Sequence, residues 1–423
     1  MFASKEKQGI FFGWWIVIAC SILTFYGAGT FFYGFTVFVN PMARDLGWSM
    51  ALISGAFSLY RLESGIGAPL AGYLLDRIGP RILVMAGGLI WGAGFFYLSN
   101  TKTVLNFYIA FFIISFGWTF ASGTAVPSAL IGKWFIKKRG RAFGFYTTAG
   151  GLSGILVPIL SLFIETYGWQ KTLLFTGLFT WIITIPISMT LRERPEKIGL
   201  LPDGEESPAK TETEIKRNPS HYKEIDFNVR RALVTPAFWI LSLCGTVFQM
   251  TMSALFVHLV PHLITAGIES RIASVAVTFI TICSVAGRLG FGWLSDIYSK
   301  KWLLISTFFL QGAGLLFFSR VQEPIHLIPF LIAYAPSYGG SIVIRPAITG
   351  EYFGREHFGT IYGLLVGMGM FGGIAGPVIA GYAYDLYGNY KLIFSIFAFL
   401  SIISGLFLVL LKRPLPFSKK EEI

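Results

Sequence analysis

Twelve long apolar runs divide this 423-residue chain, near positions 12–40, 49–72, 81–99, 104–130, 142–165, 171–191, 235–266, 272–294, 302–319, 325–349, 358–383 and 390–411. Each is long enough to cross the roughly 30 Å hydrocarbon core of a bilayer as a helix. Only 13% of residues are charged while 54% are hydrophobic, which excludes a water-soluble domain of this size. Backbone groups inside lipid must find their partners within the segment. The expected fold class is therefore an all-α membrane protein with twelve transmembrane helices.

Charge placement predicts the orientation. With the N-terminus inside, 25 of the 34 Lys and Arg residues fall on the cytoplasmic side, 6 on the other and 3 within spans. Cytoplasmic loops are enriched in Lys and Arg, so both termini are expected in the cytoplasm. The net charge of +12 then reflects topology, and no nucleic-acid partner is expected. Lys5 and Lys7 precede a long first run without a small-residue cleavage site, which reads as an uncleaved span. Cys20, Cys244 and Cys283 lie in separate spans, with neither a disulfide framework nor metal-ligand spacing. The short tails and loops point to the plasma membrane of a prokaryote, the inner membrane.

The two halves repeat. Gly72-Tyr73-Leu74-Leu75-Asp76 returns as Gly292-Trp293-Leu294-Ser295-Asp296, 220 residues later. Gly144, Gly150, Gly154 and Pro158 return as Gly363, Gly369, Gly373 and Pro377, each 219 later. Lys133-Trp134-Phe135 is echoed by Glu351-Tyr352-Phe353. Duplicated halves are the usual build of secondary transporters, with the substrate site between them. The organisation read from this is an N-terminal six-helix bundle over 1–191, a polar cytoplasmic linker over 192–231 and a C-terminal six-helix bundle over 232–423. Glycines four apart, such as Gly359, Gly363 and Gly367, let helices approach closely, for static packing or for halves that rock. Gly367-Met368-Gly369-Met370-Phe371-Gly372 fits a nucleotide-loop pattern, but it sits in an apolar span with no strand before it; helix packing is expected.

Gly72 through Arg81, with Asp76, Arg77, Gly79 and Pro80, lies between spans two and three and resembles the signature loop of the major facilitator superfamily. Asp296 closes a degenerate copy that includes Arg288, Gly290 and Gly292. An aspartate there can bind helix-end amides and a basic group of the neighbouring bundle. The resemblance covers the whole chain and implies two pseudo-symmetric bundles gated at this loop. Gly47-Trp48-Ser49, Val257-His258-Leu259-Val260-Pro261 and Glu351-Tyr352-Phe353-Gly354-Arg355, followed by Phe358-Gly359-Thr360-Ile361-Tyr362-Gly363, are similar to the monocarboxylate and oxalate/formate porter branch. Such proteins move small organic anions, often with a proton.

Arg61, Glu63, Arg288 and Arg345 carry charge inside spans. Each costs at least ~2.5–3.5 kcal/mol to place there, so each is a functional candidate. Arg288 precedes Asp296 by eight residues, about 12 Å along a helix, where its guanidinium can grip a carboxylate through two bonds. The resemblance implies a substrate-binding arginine at this place; a permanent pair with an internal carboxylate is the alternative. Ser284 stands where animal monocarboxylate carriers have an aspartate. The first-span lysine of those carriers and the second cation of the oxalate porters are also missing. One central cation favours a monocarboxylate and leaves the proton route open. Glu63 is the candidate for that route, or else half of a fixed interhelical ion pair; Arg61, two residues away, faces elsewhere.

His258 and His262 share one face of span seven. His258 is read as a hydrogen-bond donor to substrate, and His262 as a coupling group or as packing. Tyr334 and Tyr338 share a face of span ten, and Tyr26 and Tyr33 project from span one, where they can wall a small acid. Arg345 lies about 9 Å from the end of its span and is expected to reach for the interface. No cofactor or metal is called for.

The reading is a proton-coupled monocarboxylate symporter working by alternating access and acting as a monomer, not an enzyme. Arg288, His258, Tyr338, Tyr334 and Tyr33 would bind substrate; Glu63, His262 and Arg61 are the proton-coupling candidates. Oxalate/formate-type antiport is the alternative, and a non-transporting membrane sensor the distant one.

Overall fold

The computed structural model describes residues 10–205 and 226–414; the basic tails and the middle of the linker lie outside the described residues. Ten stretches are long and apolar enough to span a membrane by composition. Two features raise the number to twelve. Met50–Ile78 is a 29-residue helix with charged residues inside it, and Arg139–Thr190 is two helices joined at Gly168.

In chain order the spans are α1 (Phe12–Leu46), α2 (Met50–Ile78), α3 (Pro80–Ser99), α4 (Val104–Trp134), α5 (139–167), α6 (169–190), α7 (Pro236–Thr265), α8 (Ser270–Ile297), α9 (Lys300–Ser319), α10 (Leu327–Phe353), α11 (Phe358–Tyr387) and α12 (Lys391–Phe407). Connections are short because the ends are well punctuated. Ser49 accepts from Leu52 N at the start of α2, and Thr235 caps α7 ahead of Pro236, as hydroxyl N-caps do. Gly79 (φ 80) and Gly168 (φ 81) hold left-handed turns that side chains resist, and Pro80 starts α3 directly after its turn. Large apolar side chains such as Ile66, Ile332 and Val378 remain exposed, as a lipid-facing belt requires.

The linker docks at both of its described ends. Asp203 accepts from the amides of Ile136, Lys137 and Lys138 in the α4–α5 turn. Asp226 accepts from those of Arg355 and Glu356 in the α10–α11 turn. These turns are 219 residues apart, so the repeat extends to how the linker grips each bundle.

One core cluster crosses between the bundles: Val343, Ala347, Phe358 and Tyr362 pack with Leu130, Trp134 and Phe143. This lies at the face that carries the basic loops, here the basic face. The clusters near the opposite face stay within one bundle each. The molecule is thus shut at the basic face, and its bundles separate toward the other.

Candidate functional site and gate

The repeated glycines meet crosswise. A Cβ on Gly72 would overlap the carbonyl of Gly359, and one on Gly140 would overlap the carbonyl of Gly292. Gly363 lies against Ala68, Gly367 against Gly65, and Gly144 against the backbone of Arg288. Helices α2 with α11, and α5 with α8, therefore touch backbone to backbone across the bundle interface. Gly367 faces α2 while Gly369 and Gly372 face α7, so the nucleotide-loop lookalike is helix packing.

The two motif aspartates complete this contact, each capping a helix of the opposite bundle. Asp76 accepts from the amide and hydroxyl of Thr360 at the start of α11, both at 2.9 Å. Asp296 accepts from Gly140 N at 2.7 Å, Arg141 N at 3.2 Å and Arg141 Nε at 2.9 Å at the start of α5. Negative groups at helix N-termini are stabilised by unpaired amides and the helix dipole. The basic partner of Asp76 comes from its own bundle: Lys133 Nζ sits 2.8 Å from Oδ1, an ion pair outside hydrogen-bond angles. Lys133 also meets Glu193 in the linker at 3.3 Å. Two motif residues serve elsewhere. Arg77 lies over the Tyr73 ring, 5.3 Å from its centre, and Arg81 Nε donates to the Leu191 carbonyl. They secure the helix end and the linker rather than the gate.

Arg288 lies just beyond this seal. It is buried and forms no ion pair among the described residues. One terminal nitrogen donates to the Thr147 carbonyl of α5 at 2.5 Å, across the interface, while Nε has no partner. The guanidinium stands 5.9 Å from the centre of the Tyr338 ring. Tyr33 is within electrostatic reach of both Tyr338 and Arg288. It follows a π-helical turn over Ala28–Phe32, an irregularity common at functional sites. Residues from α1, α5, α8 and α10 thus converge on one point between the bundles. Thr147 escaped the sequence reading; its only signal is its place three residues after a repeated glycine.

Arg61 also faces the interface, over Phe32 of α1 (6.0 Å) and against Gly373 of α11. Counted from the glycine seals, it lies about 10 Å nearer the opposite face than Arg288. Glu63 turns the other way, into the N-terminal bundle. Its Oε2 accepts from Ser115 and from Thr119 at 3.0 Å, both on α4, and Oε1 has no partner. No cation pairs with it among the described residues, so the fixed interhelical ion pair is absent.

Several expected substrate contacts are already spoken for. His258 Nδ1 meets Tyr390 Oη at 3.1 Å and Nε2 meets the Pro377 carbonyl at 2.9 Å. Both ring nitrogens therefore tie α7 to α11 and to the start of α12, leaving none for substrate in this conformation. His262 is buried against Phe318, Tyr390 and Phe394, with Nε2 on the Phe318 carbonyl. Tyr334 is fully buried and stacks on Tyr338 from inside the bundle. Tyr26 donates to the Thr176 carbonyl of α6. Arg345 does not reach for the interface; it lies over Phe248 of α7, 5.2 Å from the ring centre.

Comparison with known proteins agrees with this architecture. The family model of the Major Facilitator Superfamily matches residues 14–287 and 241–422. The chain belongs to the major facilitator superfamily. The oxalate:formate antiporter of Oxalobacter formigenes is 25% identical over 383 residues, covering 89% of this chain and 87% of that protein. Monocarboxylate transporter 12-B of Danio rerio is 24% identical over 435 residues, covering 96% and 90%. These relatives represent the branch that the sequence blocks resemble. Among solved structures, the E. coli fucose:proton symporter superposes with a TM-score of 0.68 at 15% identity, covering 94% of this chain and 98% of that one. The human organic anion transporter MFSD10 gives 0.69 at 14%, covering 93% and 99%. At such identities these two establish the fold alone. The protein is a multi-pass membrane transporter of this superfamily.

Proposed function

We propose that this transporter carries small monocarboxylates of the lactate, pyruvate or acetate kind by alternating access, coupled to protons. The observation that carries the reading is Arg288: buried between the bundles, without a carboxylate among the described residues, with Nε unpartnered. A guanidinium is built for two parallel bonds to a carboxylate, and a charge-assisted bond is roughly twice as strong as a neutral one. An arriving carboxylate finds Nε free, and where it also draws on the terminal nitrogen that holds the neutral Thr147 carbonyl it weakens a tie between the bundles. Binding is linked to loosening of the closed face by the same nitrogen. Tyr338 and Tyr33 wall the site. His258 acts from behind, holding α7, α11 and α12 together.

Glu63 is where we place the coupled proton, because it is a buried carboxyl with no cation paired to it among the described residues. The basic face is the cytoplasmic one, the setting is a plasma membrane, and a monomer suffices because the site lies within one chain. The reference experiment is uptake of labelled lactate, pyruvate and acetate into proteoliposomes under an imposed pH gradient. Accumulation that collapses in Arg288→Ala is the expected result; undiminished uptake in that variant, or no uptake of any small acid, sinks the assignment.

Arg61 favours a second reading. It gives the interface a second guanidinium, from the other bundle, and so suits a dianion such as oxalate entering in exchange for a monoanion. Oxalate/formate counterflow indifferent to pH, lost in Arg61→Gln, would select it.

A further inference from the structure

We infer that Arg345 forms a second carboxylate site, on the basic side of Arg288, which the substrate occupies on its way to or from that face. The inference rests on the organic-anion reading above. Arg345 is the third arginine inside the membrane, and its guanidinium makes neither a hydrogen bond nor an ion pair among the described residues. It is half-buried, lined by Cys244, Gly245 and Phe248 of α7, Leu304 and Phe308 of α9, and Tyr362 of α11. Beside it remains a void of ≈ 10 Å³, room for about one water. A charge left unpaired inside a bundle is costly unless something visits to pair it.

Its place relative to the first site is set by α10. Gly339 packs against the backbone of Ser284 and Arg288, and Arg345 follows six residues later, about 9 Å closer to the basic face. An aromatic pair joins the two arginines. Arg288 stands over Tyr338, Tyr338 stacks on Phe248 at 6.3 Å, and Arg345 stands over Phe248. The wall toward the N-terminal bundle is Tyr362, which packs with Leu130 and Trp134 of α4 in the cluster that crosses the interface and lies beside Ser128 of α4. In the closed state the void is too small for a carboxylate. Parting of the bundles at the basic face withdraws Ser128 and the α4–α5 wall from Tyr362, opening the space when a substrate released by Arg288 needs a next partner.

A side-resolved transport assay tests this in proteoliposomes of known orientation, with labelled lactate and oxalate as probes. Arg345→Gln is expected to raise the half-saturation concentration at the basic face by about tenfold or more while changing the opposite face by less than about twofold; Arg345→Lys recovers part of the loss. A structural role for Arg345 would weaken both faces together, and equal changes at both, or none, overturn the inference. Absence of wild-type transport of both probes would instead refute the functional reading. A second measurement does not depend on flux. With Cys20→Ser and Cys283→Ser in place, Cys244 reports on the void through its alkylation rate. Slowing by lactate or oxalate with Arg345 present, abolished by Arg345→Gln, supports the site. Slowing by chloride to the same degree, slowing that survives Arg345→Gln, or a thiol that is never alkylated overturns it.

Discussion

Asp296→Asn is the cleanest way to weigh the gate. The carboxylate is almost fully shielded, its side chain 2% exposed, and accepts three bonds from the start of α5. Asparagine keeps one oxygen, enough for the bond from Gly140, but loses the charge and therefore the favourable interaction with the helix N-terminus. The ion pair with Arg141 contributes least, because that side chain is 44% exposed and water screens it. A hydrogen bond to a charged group contributes roughly 1.5–3 kcal/mol, and the helix dipole about 0.3–1 kcal/mol more. Allowing for the oxygen retained, the closed state loses about 2–4 kcal/mol, or about 30- to 1000-fold in the ratio of closed to open basic face.

The assay is a pulsed spin-label distance between Lys137→Cys and Glu356→Cys, exposed residues in the two turns related by the repeat, with the native cysteines removed. The parent should give one short distance, and Asp296→Asn should add a longer population that dominates. Asp76→Asn should do the same at a cost to folding, since it strips a partner from the fully buried Lys133. An unchanged distance distribution in Asp296→Asn would show that the crosswise caps do not hold the face shut.

Gly72→Ala and Gly140→Ala should open the basic face as well, since their methyl groups collide with opposing backbone; overpacking of about 1–3 kcal/mol predicts transport slowed by ~5- to 150-fold. Gly154→Ala is the control, having nothing within 4 Å, and its uptake should match the parent's. Glu63→Gln should abolish accumulation driven by a pH gradient yet spare one-for-one exchange; loss of both together would mean that Glu63 serves the fold. At Glu193, burial alone would push the carboxyl up, but the Lys197 hydrogen bond and the Lys133 charge outweigh it and hold the group below its usual 4.5. Its stabilisation is present above that value and disappears as pH falls through the lowered one. Glu193→Gln should therefore melt earlier at pH 7, by about 1–2 kcal/mol of stability, with the difference from the parent vanishing in acid on thermal unfolding.

Much of this was legible in the sequence for a physical reason. Backbone-to-backbone contact admits no side chain, so the helix crossings of the gate had to be written in glycine, twice, at offsets of 219 and 220. The pairing of the copies was not legible: Gly72 meets Gly359 rather than another N-terminal glycine, because the contact is between halves. Roles set by a third helix were also hidden. His258 and His262 share a face of α7, but whether their nitrogens stay free depends on Tyr390, Pro377 and Phe318, more than 50 residues away. Arg345 looked near enough to its helix end to reach water, and only the placement of Phe248 and Tyr362 shows it turned inward.

Arg61 and Glu63 are the instructive contrast. Two residues apart on a helix they cannot meet, and local geometry alone predicts as much. The fold adds where each goes: Arg61 to the interface with Arg288, Glu63 to the hydroxyls of α4 inside the bundle. Beyond the aspartate seals the interface carries two guanidiniums, and Glu63 keeps its carboxyl inside the N-terminal bundle. On the proposed function, an anion at Arg288 and a proton at Glu63 need not share a partner, and each can bind without displacing the other. On the same reading, α2 offers a route for coupling between them: it carries Glu63 on one side and presses Gly65, Ala68 and Gly72 against α11 on the other. A change in how α2 packs on α4 is thereby felt at the seal.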